Sequence, residues 1–326
     1  MDAWVVGQDG VRAVDAGDIG AAPRPDDGFV WVDVPEWSVD AERLLERLGC
    51  HPLVIEACRT RNHVPTVHAY ERHLFVTLLA PLLGGGGHVH LLELDQLVAE
   101  GYLVTVHGPL NPAVDPAEAL AETGAARRRI EQGRFRPGSP AALSYALGSA
   151  VARRQRALIG SVAEKLPGVE QEVMASEFRE PEALLEQMFL IRHELVTART
   201  TAAQSADVFA RIAALDRHVG EELRRYAGDL ADQFDRVRSI GDGEAQFLHG
   251  VIELYQTRVN TKMTVAMERL AVIAAVTLPV TAIASVVGMN VIVSEDTRWV
   301  ALTLVLVLML TISFLLLRWA RRQGWW

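Results

Sequence analysis

The chain has 326 residues, 50% of them hydrophobic, enough for one large domain or two smaller ones with a substantial core. A formal net charge of −9 argues against a general nucleic-acid partner. The two cysteines, Cys50 and Cys58, fit reduced thiols of a cytoplasmic domain better than a disulfide framework.

The opening residues, MDAWVVGQDG, carry no basic region followed by an apolar stretch, so no leader is expected and the N-terminal part should stay where it is made. GFVWVDVPE (28–36) is rich in β-branched and aromatic residues and stops at Pro35, the mark of a strand. SVDAERLLERLG then offers Ser38 as a cap and leucines at helical spacing, and HPLVIEACR reads as a further helical turn or two. VPTVHAYE, HLFVTLLAPL, HVHLLELD and YLVTVHG are strand candidates, the second and third separated by four consecutive glycines (84–87). NPAVDPAEALAE restarts helix. Residues 1–135 are therefore expected to form an α/β or α+β cytoplasmic domain. No enzyme is expected. The glycine run lacks the lysine and the following helix of a phosphate loop, and His63, His68, His73, His88, His90 and His107 form no HExxH pattern.

From Pro140 onward the pattern is helical. One segment runs from Pro140, a second begins at Pro181 with Glu182 in its first turn, and a third starts near Gly220. Continued without a break to Asn290, the third would be about 105 Å long. Gly241 and Gly243, in SIGDGE, offer a place for a bend instead. Residues 136–266 are expected to be a helical stalk.

Two uncharged runs, 270–294 and 299–317, are each long enough to cross a hydrocarbon core of about 30 Å. A first transmembrane helix is expected at 267–290, an external loop at 291–298, a second span at 299–318 and a basic tail at 319–326. Arg258, Lys262 and Arg269 precede the first span, and Arg318, Arg321 and Arg322 follow the second. The positive-inside rule then puts both termini in the cytoplasm and Glu295, Asp296 and Arg298 outside. Trp299 and Trp319 bracket the second span as interfacial anchors, with Trp325 and Trp326 at the inner interface.

Two spans cannot enclose a polar path, so transport requires several copies around an axis. The first span carries Thr277, Thr281 and Ser285, four apart on one stripe, and Pro279; the second is dominated by bulky apolar residues that suit lipid. The plainer reading is that the hydroxyls bond back to their own helix and Pro279 only kinks it.

Gly288-Met289-Asn290 at the outer end of the first span, a short acidic loop, a second span and a basic tail closely resemble the CorA-type magnesium channel and transporter family. MERLAVIAAVTLPVTAIASVVGMNV is similar to that family's first transmembrane helix, including Met267, Leu270, Pro279 and Thr281. VWVDVPE, HPLVIE, YLVTVH and FLIRHELV resemble its soluble signatures, so the resemblance covers most of the chain from about residue 28. It implies a funnel-shaped homopentamer with an α/β cytoplasmic domain, long stalk helices and two transmembrane helices per protomer, in the inner (plasma) membrane. Mg²⁺, with Co²⁺ or Ni²⁺, would be the transported ion, with Mg²⁺ also the regulatory ion. Asn290 would form a carboxamide ring at the mouth, where Gly288 lets the chain turn, and Met289 completes the tripeptide. Thr281 and Thr277 would continue the polar stripe, and Leu270 and Met267 would form the apolar constriction. Glu295 and Asp296 would raise local cation concentration. Asp229 and Glu253 fall on acidic stalk positions and are the candidate regulatory metal ligands. Val287 stands where the family usually has an aromatic residue. A zinc transporter of the related branch and a non-transporting membrane scaffold are the alternatives.

Overall fold

The computed structural model describes residues 1–7, 10–15, 19, 28–175, 181–215, 219–288 and 299–322. Seven strands come first: β1 (Asp2–Gly7), β2 (Gly10–Val14), β3 (Phe29–Val34), β4 (Thr66–Ala69), β5 (Leu74–Leu83), β6 (Val89–Val98) and β7 (Tyr102–Val106). Between β3 and β4 lie α1 (Val39–Arg47) and α2 (Pro52–Arg59). The remaining helices are α3 (Pro116–Ala119), α4 (Ala121–Glu131), α5 (Pro140–Ala163), α6 (Leu166–Met174), α7 (Pro181–Ala213), α8 (Glu221–Gly288) and α9 (Trp299–Arg322). By their contacts, Met1–Gly250 and Val251–Trp326 form two compact units.

The first unit is built on one seven-stranded sheet of order β2-β1-β3-β7-β6-β5-β4. Only β3 and β7 run parallel among the described pairs, with Val30 opposite Tyr102 and Val34 opposite Val106. The alternation of β3 sets the two faces. Val30, Val32 and Val34 join the α1 and α2 side with Leu44, Leu45, Val54 and both cysteines, whereas Trp31 points into the core made with α5, α7 and the start of α8. Cys50 and Cys58 pack there as small hydrophobes, and burial pushes the Cys50 thiol up to about 12 and the Cys58 thiol well above its ordinary value.

The expected strands from β3 to β7 are all present, and so is the Ser38 cap; a second capping serine, Ser139, was not among the expectations. The Ser38 hydroxyl accepts from the Ala41 amide, and Ser139 does the same for Ala142 ahead of Pro140. The β1–β2 hairpin was not among the expected strands. It extends the sheet beyond β3 because Trp4 of β1 packs on Trp31 at 4.9 Å between ring centroids, with the Arg127 guanidinium 5.6 Å from the centre of the Trp4 ring. The segment from Pro140 ends at Ala163, and α6 restarts with Pro167 in its first turn, where a missing amide costs nothing.

Helix α8 passes through Gly241 and Gly243 without a break. Gly241 is a close-approach residue: a Cβ there would lie 3.2 Å from Ile159 and 3.3 Å from Arg199. Gly148 of α5 works the same way against Leu230 of α8, at 2.9 Å. These contacts, with Tyr145 on Asp229, set α5 and α8 side by side and parallel, residues 145–159 of one along 229–241 of the other. Phe234 of α8 is fully buried there and stacks on Phe209 of α7 at 5.6 Å.

Candidate ion path and regulatory carboxylates

In the second unit, α8 and α9 both contain stretches long and apolar enough to cross a membrane. Val272, Ala275 and Val276 of α8 meet Leu316, Trp319 and Ala320 of α9, and Val272 and Ala320 are 1% and 3% exposed. Pro279, Ile283 and Val287 continue this half-buried stripe. At 3.6 residues per turn, Met267, Leu270, Thr277, Thr281, Ser285 and Gly288 fall within roughly 50° of the diametrically opposite line on α8. All six are exposed. The structure thus collects the sequence-derived residues of this span on the face turned away from α9.

The threonine hydroxyls bond back to their own helix. Thr277 donates to the Ile273 carbonyl and Thr281 to the Thr277 carbonyl, each at 2.8 Å. The plainer sequence reading therefore holds for the protons. It leaves the oxygen lone pairs, which are not engaged by that bond, directed away from the backbone. A stripe of such hydroxyls offers acceptors and no donors. Water molecules around a cation present their hydrogens outward, so this polarity matches a hydrated cation. Pro279 supplies no amide, which deprives the Ala275 carbonyl of its helical partner.

Gly288 is the last described residue of α8. Met289, Asn290, Glu295 and Asp296 lie outside the described residues.

Of the two acidic stalk candidates, Asp229 has a defined setting in the first unit. Its Oδ2 accepts from the Tyr145 hydroxyl at 2.7 Å and from Gln233 Nε2 at 2.6 Å. The Tyr145 bond, then the Gln233 bond, hold its carboxyl below the usual range, and the charge of Arg236 adds to them. Tyr145 also stacks on Tyr226 at 4.7 Å. Glu253 lies on α8 in the second unit. Among the described residues, no three His, Cys, Asp or Glu side chains are grouped to hold a metal ion. Asp229 keeps one oxygen free of these two bonds, so it fits as a single ligand of an ion whose remaining ligands come from elsewhere. Gln233, four residues on, was legible as a partner from helical spacing; Tyr145, 84 residues away, carried no local signal.

The sheet holds further polar groups that sequence reading missed. Asp95 is completely buried beside Glu93; the Thr77 hydroxyl donates to it at 2.6 Å, and Asn62 donates to Glu93 through both its backbone and side chain at 2.7 Å. Burial, then the Glu93 charge, pushes the Asp95 carboxyl well above its ordinary range, and burial raises Glu93 as well. On the other face, His107 Nε2 lies 3.1 Å from Asp33 and 3.2 Å from Thr123. These are structural networks inside the sheet. The histidines His88 and His90 meet edge to face at 4.7 Å, and His73 is buried against Tyr70.

An α/β domain, a long helix containing one candidate membrane span and a second helix with another define the architecture of a two-span membrane protein. Residues 26–322 match the family model described as CorA-like Mg2+ transporter protein, and the chain belongs to that family of divalent metal ion transporters. It is accordingly not an enzyme. It is 25% identical over 309 residues to YfjQ of Bacillus subtilis, named for metal ion transport, covering 93% of this chain and 91% of that one. It is 22% identical over 289 residues to the cobalt/magnesium transport protein CorA of Thermotoga maritima, covering 87% and 79%. The complete structure of the CorA magnesium transporter from Methanocaldococcus jannaschii superposes with a TM-score of 0.79 at 17% identity, over 100% of this chain and 98% of that one. That likeness establishes the fold.

Proposed function

We propose that the chain forms a homopentameric channel that admits hydrated Mg²⁺, with Co²⁺ or Ni²⁺ as further cargo, across the inner membrane into the cytoplasm. The observation that carries this reading is the single face of α8, opposite α9, on which Met267, Leu270, Thr277, Thr281, Ser285 and Gly288 lie exposed. Five copies arranged with that face inward give an axis lined by hydroxyl acceptors and closed at its inner part by Leu270 and Met267, an apolar ring that stops ions by dewetting. Residues 267–290 are then the pore helix, 291–298 an external loop, 299–318 the lipid-facing span and 319–326 a cytoplasmic tail, with 1–135 and 136–266 on the inside.

Asn290 and Gly288, with Met289 between them, form the outer mouth. Mg²⁺ surrenders its water reluctantly, so a ring of neutral carboxamide oxygens that hydrogen-bonds to the hydrated ion selects it without stripping it. Glu295 and Asp296 supply the nearby negative charge. Inside, Mg²⁺ acts as regulator: Asp229 contributes one ligand of a site completed by a neighbouring copy, with Glu253 a second acidic position along the stalk. Bound Mg²⁺ neutralises the facing carboxylates and favours the closed ring.

The test is Asn290→Ala in proteoliposomes under an imposed membrane potential without nucleotide. Pentamers should persist while Mg²⁺ entry is abolished or greatly reduced. Mg²⁺ entry at the wild-type rate sinks the mouth assignment. Proton-coupled Zn²⁺ uptake with negligible Mg²⁺ flux in the unmodified protein moves it to the zinc branch, and no flux of any divalent cation leaves a membrane scaffold.

A further inference from the structure

We propose that the groove between α5 and α8 binds a phosphate-rich anion, of the class of inorganic polyphosphates and nucleoside di- and triphosphates. The groove has a volume of about 450 Å³ and lies wholly within the first unit. This is within the range of small-molecule sites. Arg153 and Arg156 of α5, three residues apart on one face, line it together with Arg236 of α8. All three are exposed, and among the described residues none has an ion-pair or hydrogen-bond partner.

Their surroundings offset these charges only in part. α5 carries no acidic residue along its 24 positions. Arg154, between them in sequence, turns to the other side, where it is held by Glu118 at 2.9 Å and Glu122 at 3.1 Å. Asp235 of α8 pairs with Arg238 at 2.7 Å. Asp229, at one end, accepts from Tyr145 and Gln233 and offsets part of the Arg236 charge, leaving Arg153 and Arg156 without such a counter-charge among the described residues. Three like charges are thus gathered over a floor in which Ala152 and Val237 are each 3% exposed. An apolar floor strengthens the field above it.

The geometry points to phosphate for two reasons. Each guanidinium presents a planar fork that matches the oxygens of a phosphoryl group. The three forks are spread over two parallel helices, so a chain of phosphoryl groups satisfies them together, whereas a small carboxylate satisfies one. Ser239 adds a hydroxyl donor at the rim. Sequence pattern did not show the site, because Arg153 and Arg236 are brought together by tertiary packing of α5 on α8, at Gly148 against Leu230 and Gly241 against Ile159.

The experiment uses the full chain in a non-ionic detergent, with inorganic tripolyphosphate as the probe, followed by titration calorimetry. Sulfate at matched ionic strength is the control for screening. Saturable tripolyphosphate binding is expected, weakened about tenfold or more in Arg153→Gln/Arg156→Gln and similarly in Arg236→Gln. These exposed substitutions should leave the unfolding temperature unchanged. ATP binding as tightly as tripolyphosphate would mean that the phosphate chain alone is read, and tighter ATP binding that the nucleoside is seated too. Three results overturn the proposal: no saturable tripolyphosphate binding, an affinity unchanged in the arginine variants, or equal competition by sulfate. If the wild type binds no tripolyphosphate and the double variant loses its oligomeric state, the groove belongs to carboxylates of a second copy instead. The site does not depend on the transport reading, so its failure leaves the Asn290 test untouched.

Discussion

Replacing Thr277 and Thr281 together by valine separates the two uses of a helical hydroxyl. Valine keeps the β-branched shape and removes only the oxygen. Each hydroxyl proton is already committed to a carbonyl one turn back, at 2.8 Å, and those carbonyls belong to the helix in any case. The loss of these bonds should therefore change stability by no more than about 0.5 kcal/mol per site. The functional loss is different, because two acceptors per copy vanish from the proposed axis. A hydrogen bond from the ion's water shell to a neutral oxygen contributes about 0.5–1.5 kcal/mol net. With two or three such contacts engaged at once, passage loses about 2–3 kcal/mol, or roughly 30- to 150-fold in rate. Voltage-driven Mg²⁺ entry into proteoliposomes, read with an internal indicator, measures it, alongside the unfolding temperature of the same preparation. Near-wild-type entry would falsify the acceptor role. A loss of entry matched by a comparable fall in unfolding temperature would assign the hydroxyls to packing.

Asp229→Asn should raise the Mg²⁺ concentration that protects the stalk from limited proteolysis, with Ca²⁺ and ionic-strength controls; superimposable midpoints remove Asp229 from the sensor. Asp95→Asn tests the buried carboxyl of the sheet. Its folded pKa lies above the unfolded one, so its stabilising contribution is complete below the unfolded value and is lost as pH rises through the folded value. The asparagine variant should accordingly show a flatter decline in unfolding temperature with rising pH, Glu93 accounting for the remaining slope, and an unaltered profile would mean that Asp95 does not titrate there. Phe234→Ala removes a fully buried ring stacked on Phe209 and should destabilise the first unit by about 3–5 kcal/mol, seen as a lower unfolding temperature of the full chain; a shift within error would contradict the packing described.

Local pattern was sufficient where the physics is local. The β-branched and aromatic run of GFVWVDVPE, the capping serine Ser38 and the helical period from Pro140 each act within a few residues, and the corresponding elements formed. The threonine stripe was legible for the same reason, since positions four apart share a helix face whatever else the chain does. Pairing of β3 with β7 joins residues about seventy apart, and nothing in either strand specifies its neighbour. The β1–β2 hairpin escaped notice because its main support is Trp31, far along the chain. Gly241 shows how a residue type misleads: as punctuation it suggests a bend, but its missing side chain is needed for Ile159 and Arg199 to approach. Tyr145 beside Asp229 is likewise a product of helix packing.

The two thiols of the sheet domain bear on how the proposed pore stripe can be mapped. Sulfhydryl reagents attack thiolates that they can reach, and Cys50 and Cys58 are both enclosed and kept protonated. A cysteine introduced at any exposed position of the stripe, Leu270 or Thr281 for instance, would stand out chemically in the otherwise unaltered protein. Maleimide labelling from either side of a sealed vesicle can therefore chart which positions face water, and from which compartment, without first removing the native thiols and disturbing the core they fill.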